Sequence, residues 1–455
     1  MLEELRSHFS ALVTAHPWVT SLANILPLSA LVDFLDVPRT LHIFQLSHSV
    51  PLWCWSVTPY GSRFLFSASA EAPMDQCCLD EFGRTPGLLC VDGRYGDCYP
   101  AMSPETLRMC IDTLTPVSIK NSHANMKRGD IRPHTLDVIH VQRERPPRDT
   151  QRRRPPSLLC ASALGWLLLG GLLVACGITQ CWWAFSFLTV IPFTGLLISH
   201  VQVSGPRRLA LRRGEGGEYN RLVLAAKHMN ETKWIIFYGE STAVNSLLNW
   251  PLRKTTSATR PRLRRGLQMV LRLLILSQWV LAVAAAALSG WDAYIISLWV
   301  LVCIFAHTTL FSASQTMPDW MRRFARISMT RYQTQLSSRR ALLNTVLALN
   351  PDKLPQSLTF VDGQQLESSN EGLAWADHIL KGGADRVRWV QCSQIAMEEW
   401  EQHRTLQAWK QQYKCDNSTK RYPHYWVPFV EEGVEIGAMI IDRAGLTGLI
   451  TSKIV

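Results

Sequence analysis

Two long apolar blocks, at residues 157–203 and 267–313, constrain this chain more than any other feature. The first opens with SLLCASALGWLLLGGLLVACG at 157–177, which contains no charged side chain. As a helix rising 1.5 Å per residue it measures roughly 30 Å, the thickness of a bilayer's hydrocarbon core. A single helix through the whole block would measure about 70 Å, far too long for one crossing. The block therefore predicts two transmembrane helices, 157–177 and 181–203, joined by Ile178-Thr179-Gln180. Trp182 and Trp183 fall where interfacial anchors belong, and Pro192 predicts a kink. The second block repeats the design. Segment 267–288 is apolar apart from Gln268, Arg272 and Gln278, and 293–314 is apolar apart from His307. Ser289-Gly290-Trp291-Asp292 supplies the turn, and Arg272 lies near enough to the basic end to snorkel.

The net charge of +11 suggests nucleic acid until it is located. Residues 1–142 carry 10 basic and 14 acidic groups, and residues 341–455 carry 11 and 14. The positive excess lies beside the apolar blocks. Residues 143–154 hold six Arg and two acids, 204–266 hold 13 Lys or Arg and four acids, and 315–340 hold six Arg and one Asp. Charge that hugs apolar segments follows the positive-inside pattern, so no nucleic-acid partner is expected. Two hairpins with short tips force residues 1–156, 204–266 and 315–455 onto one side. The Arg clusters predict that this side, with both termini, is cytoplasmic. Met1-Leu2-Glu3-Glu4 is acidic where a secretory leader would be basic, so insertion is expected to start at the first span.

That topology decides two ambiguous features. Asn230-Glu231-Thr232 and Asn417-Ser418-Thr419 match the glycosylation acceptor pattern, but both fall in predicted cytosolic segments and are expected to be unused. Six of the twelve cysteines (Cys54, Cys77, Cys78, Cys90, Cys98 and Cys110) cluster within 57 residues. They are expected to stay reduced and to pack in a core, and no Cys-x-x-Cys pair argues for zinc. Cys160, beside the bilayer, is a candidate for palmitoylation.

The expected fold class is an α-helical membrane protein with four transmembrane helices as two hairpins, carrying small cytosolic α+β segments. The segments are the N-terminal 1–142, a basic loop at 204–266 and the C-terminal 315–455, with 143–156 as an Arg/Pro-rich linker. In the N-terminal segment, 2–13 and 20–35 predict helices, and 40–46, 52–58 and 63–69 predict strands. Ser103-Pro104-Glu105 marks a helix start. In the loop, 219–226 and 233–238 predict a β-hairpin followed by a short helix ending before Pro251. The C-terminal segment predicts a helix at 393–414, a turn at 420–425 and apolar β-like runs at 426–430 and 434–441.

Chemistry is hard to find. Gly239-Glu240-Ser241-Thr242-Ala243 resembles a nucleophile elbow without its second glycine, so Ser241 reads more simply as a helix N-cap. His42, His48, His123, His134 and His140 show no ligand spacing, and no phosphate-binding glycine loop is present. The spans themselves hold only His200, His307 and Arg272, little for a transporter. No catalytic, cofactor-binding or metal-binding residue is assigned, and no cofactor is expected. The expected role is a non-enzymatic scaffold or accessory factor, with an oligomeric channel or transporter, and then a membrane-bound enzyme, as alternatives. Its partners are the lipid bilayer and a protein that no residue identifies. The basic stretches are candidates for anionic lipid headgroups, worth roughly 1 kcal/mol per residue near the surface.

Residues 155–320 carry Arg221-Leu222-Val223-Leu224-Ala225-Ala226, Trp234-Ile235-Ile236-Phe237-Tyr238-Gly239 and Ser246-Leu247-Leu248-Asn249-Trp250-Pro251-Leu252 between the two hairpins. In this arrangement the chain resembles uncharacterised fungal integral membrane proteins. The resemblance implies a fungal source and four spans, and it brings no activity or site residue with it; some such proteins accompany secondary-metabolite pathways.

Overall fold

The computed structural model describes residues 36–57, 76–82, 86–123, 132–144, 156–201, 205–211, 218–253, 261–288, 290–352, 373–379, 384–415 and 423–446, with two short strands and a few isolated positions besides. The expected helices at 2–13 and 20–35, the strand at 63–69, the linker and the Asn417 acceptor fall wholly or mostly outside these residues. The chain divides into two compact units, each built from three separate stretches of sequence.

The first unit takes residues 1–83, 145–210 and 251–326. It contains helices Pro156–Thr179, Trp182–Val201, Pro261–Leu288 and Trp291–Phe305, the last prolonged by a π-helical turn at Ala306–Leu310. All four are long and apolar enough to cross a membrane. The second helix packs against the other three. Outward-facing side chains remain apolar, with Leu167 73%, Val280 64% and Leu301 59% exposed, a surface suited to lipid rather than water. The first two helices are separated by Gln180 in the left-handed conformation. Asp292, in the first turn of the fourth helix, accepts a hydrogen bond from the Ala184 amide at 2.8 Å. Its carboxylate thereby satisfies an open N–H at the start of the second helix and ties the two hairpin tips together.

Residues 37–47 form a helix, Val37–Ser47, not the strand expected at 40–46. Asp36 caps it by accepting from the Arg39 amide at 3.0 Å, and Pro38 sits in its first turn. Ten of its eleven residues are buried, so the apolar run TLHIFQL needs no alternating faces. The expected strand at 52–58 is a single 3₁₀ turn, Leu52–Cys54, followed by irregular chain to Val57.

The second unit takes residues 84–144, 211–250 and 327–455. Its centre is one mixed seven-stranded sheet: β1 (Leu89–Asp92), β2 (Cys98–Pro100), β3 (Pro116–Ser118), β4 (His134–Arg143), β5 (Asn220–Ala226), β6 (Lys233–Glu240) and β7 (Ile327–Leu336). The order is β2-β1-β5-β6-β4-β7-β3. β5 and β6 form the expected antiparallel hairpin, while β4 runs parallel to β6 and antiparallel to β7. The expected N-terminal, central-loop and C-terminal α+β segments all contribute strands to this one sheet.

Leu136, Val138, Leu224, Ile236 and Tyr332 lie on one sheet face in a core shared with helices Arg339–Leu349, Ala384–His403 and Pro423–Ala444. On the opposite face Ile139, Val223 and Phe237 are fully buried, and helix Ser241–Leu248 packs on β4, β5 and β6. Helices on both faces explain why β5 reads LVLAA without polar alternation. The expected helix start at Ser103-Pro104-Glu105 opens Pro104–Asp112. The expected helix at 393–414 is two helices, Ala384–His403 and Gln407–Cys415, and the β-like runs at 426–441 lie inside helix Pro423–Ala444. Gly433 and Gly437 are what the long helix needs. A Cβ at Gly437 would sit 2.6 Å from the Ala348 methyl, and one at Gly433 2.8 Å from the Thr345 amide nitrogen. Close approach to helix Arg339–Leu349 outweighs the poor helix propensity of glycine.

Candidate functional site

The most unusual feature of the first unit is the chain at 50–57, which runs between the four apolar helices. Val50, Trp53, Cys54, Trp55 and Val57 are each at most 3% exposed. Backbone in such a place has no water to bond, so side chains of the surrounding helices must satisfy it. Gln278 of the third helix does most of this: its Oε1 accepts from the Val57 amide at 3.0 Å, and its Nε2 donates to the Trp55 carbonyl at 3.2 Å. Nε2 also donates to Thr194 Oγ1 of the second helix at 2.8 Å. Trp279 Nε1 donates to the Val57 carbonyl at 3.2 Å. His307 Nε2 donates to the Cys54 carbonyl at 2.9 Å, which leaves Nδ1 to accept from Thr40 Oγ1 at 3.4 Å.

Apolar packing completes the seat. Trp53 donates from Nε1 to the Ser162 carbonyl at 3.2 Å and meets Trp299 edge-on at 5.8 Å. Gly165 and Gly195 make room, because a Cβ at either would collide with Trp53 or with Leu52 and Trp55. Gln278 lies about 20 Å along its helix from Arg265, so the segment penetrates deeply rather than resting at one end. The polar residues Gln278 and His307, visible in the apolar blocks, are therefore acceptors and donors for a buried loop. Arg272 is exposed on its helix.

Other polar clusters find hydrogen-bond and charge partners within the fold. His42, Cys77 and Asp80 come together within 4.8 Å, a set sequence spacing concealed. His42 Nδ1 accepts from the Leu79 amide at 3.1 Å, so a neutral ring keeps its proton on Nε2, which faces Asp80 at 3.8 Å. A metal on Nε2 would require both nitrogens to be unprotonated. Beside them, burial pushes the Cys78 thiol up to about 12. His123 bonds Glu435 at 2.9 Å at a part-exposed position, and the third member of that cluster, Glu431, pairs with Lys410.

In the second unit Asp137 is fully buried on β4, bonded by Arg331 at 3.0 and 3.1 Å and by Gln333 at 2.9 Å. This network pins β4 to β7. Asp92 accepts from the amides of Arg94 and Tyr95 at 2.7 and 2.9 Å and pairs with Arg221, closing the β1–β2 turn onto β5. Glu432 accepts from Asn121 at 2.7 Å and from the amide and hydroxyl of Ser337. Ser241 is the first residue of its helix and not the cap, which is Glu240. It is 4% exposed, and its amide bonds the Tyr219 carbonyl at 2.8 Å. His134 is buried and His140 partly buried on β4, and burial holds both below the ordinary imidazole value. Asn230 is exposed in the β5–β6 turn, its side-chain oxygen bonded by Arg339 at 3.0 Å.

Comparison with protein-family models, with curated proteins and with solved structures returned no match.

Proposed function

We propose that this chain is a multi-pass membrane protein with four spans in two hairpins, both termini and the central loop cytosolic, which serves as a non-enzymatic scaffold or accessory factor. The carrying observation is the composition of the sheet. β1 to β4 precede the first span, β5 and β6 lie between the second and third, and β7 follows the fourth, yet all seven strands join one sheet. Strands cannot pair across a bilayer, so an even number of crossings must separate β4 from β5 and β6 from β7. Two crossings in each interval meet that condition. The bond from Ala184 to Asp292 supports the same pairing by holding both tips together. The Arg-rich flanks and tips without Lys or Arg favour a cytosolic sheet.

The role follows from what fills the interior. The seat among the spans is occupied by Trp53 to Val57, which speaks against a conduit through one protomer. In the sheet unit Asp92, Asp137 and Glu432 are already committed to Arg221, Arg331 and Ser337, as befits framework rather than reacting groups. Purification of the full chain in mild detergent should bring down a stoichiometric protein partner, and liposomes holding the pure protein should show no ion or solute flux. Flux above empty liposomes, or a chain that purifies alone, would overturn the scaffold reading.

A further inference from the structure

A cavity of about 350 Å³ opens where the fourth apolar helix ends, between its π-helical turn, the start of helix Val37–Ser47 and the start of helix Ala313–Trp320. That size falls within the range of small-ligand sites. Its lining divides into two kinds. Ile304 and Phe311 form an apolar wall, while Asp36, Arg39 and Ser312 form a polar mouth and His307 lies between. His307 is already engaged through both ring nitrogens, with Cys54 and Thr40. The charged groups left at the mouth are one guanidinium and one carboxylate, both exposed, and no ion pair joins them among the described residues. They stand three residues apart at the start of one helix. A π-helical turn at the end of a span is also a recurrent mark of a functional site.

We propose that this cavity holds the headgroup of one zwitterionic amino-phospholipid, its phosphodiester against Arg39, its ammonium against Asp36 and its first acyl carbons against Ile304 and Phe311. The assignment rests on the four-span reading above, which puts the end of the fourth span at headgroup depth. A mouth with one charge of each sign matches a zwitterion and gives no advantage to a lipid of net negative charge. Arg is suited to the phosphodiester because its planar fork matches phosphate oxygens. Through His307 the ligand would also abut the buried 50–57 segment.

Native mass spectrometry of the full-length protein in detergent tests this, with phosphatidylethanolamine, phosphatidylglycerol or free phosphoethanolamine added. One phosphatidylethanolamine should be retained per chain, in preference to phosphatidylglycerol. Arg39→Ala should lower its occupancy about tenfold, as loss of one charge-assisted hydrogen bond does. Arg262→Ala, an exposed arginine outside the cavity, should leave it unchanged. Asp36→Asn keeps a good helix cap, so the fold is preserved, and it should remove the preference over phosphatidylglycerol. Equal retention of both lipids by the unaltered chain, an equal loss from Arg262→Ala, or binding of phosphoethanolamine as tight as that of the lipid would overturn the proposal. Binding in micelles is read without regard to sidedness, so failure here is separate from failure of the topology.

Discussion

At the scale of single residues, Gln278 is the side chain on which the first unit most depends. It serves a backbone N–H and a backbone carbonyl of the buried segment at once. Gln278→Leu would leave both unpaired, at a cost on the order of 2–4 kcal/mol. A lower unfolding temperature in detergent, with the first unit's tryptophan fluorescence lost before the second unit's circular dichroism, is the expected result. On β4, His134 and His140 titrate below the ordinary imidazole value because burial disfavours their charged form. Folded, they bind fewer protons than unfolded near pH 6.5, so their contribution is complete above that pH and is lost as pH falls through their depressed values. The unfolding temperature of the second unit should therefore drop between pH 7.5 and 5, and His140→Gln should flatten part of that slope. An unchanged slope would show that burial at His140 is not what couples stability to pH.

Among elements, the apolar helices were legible in the sequence because lipid demands a long uncharged run and little else produces one. The loop hairpin was legible in two apolar runs around a polar turn. The segment at 50–57 was not. Its apolar letters, LWCW, suit a strand edge as well as a buried coil, and its partner Gln278 lies more than 220 residues away. The last helix was misread because VEIGAMII favours a strand by local propensity, while glycine at 433 and 437 lets it lie close against Arg339–Leu349. Glycines also give the sharpest test of the buried segment. Gly195→Ala would push a Cβ to within 2.6 Å of the Trp55 ring and should cost about 1–3 kcal/mol. Gly170 has nothing within 4 Å of such a Cβ, so Gly170→Ala should be neutral or stabilise by up to about 1 kcal/mol. Thermal unfolding of the two variants in one detergent compares them directly.

For the whole molecule, two units interleave along one chain, and each is assembled from three stretches separated by the other. The two short hairpin tips predicted which segments share a side, and charge predicted which side that is. Neither could reveal that strands drawn from 89–143, 220–240 and 327–336 build a single sheet, because strand pairing over such separations leaves no local mark. In the proposed topology, the sheet makes an even number of crossings a matter of hydrogen bonding as well as of charge. The account stands on that one-sidedness, and native Cys98 supplies an exposed reporter on β2. Gly290, at a hairpin tip with nothing closer than 3.9 Å to a Cβ, accepts a second reporter as Gly290→Cys. With Cys160 and Cys415 replaced by Ser, sealed microsomes with their cytosolic face outward would be treated with a membrane-impermeant maleimide. Cys98 should react at once, and the tip cysteine only after detergent opens the membrane. A protected Cys98, or a tip that reacts in sealed vesicles, would contradict the two-hairpin account.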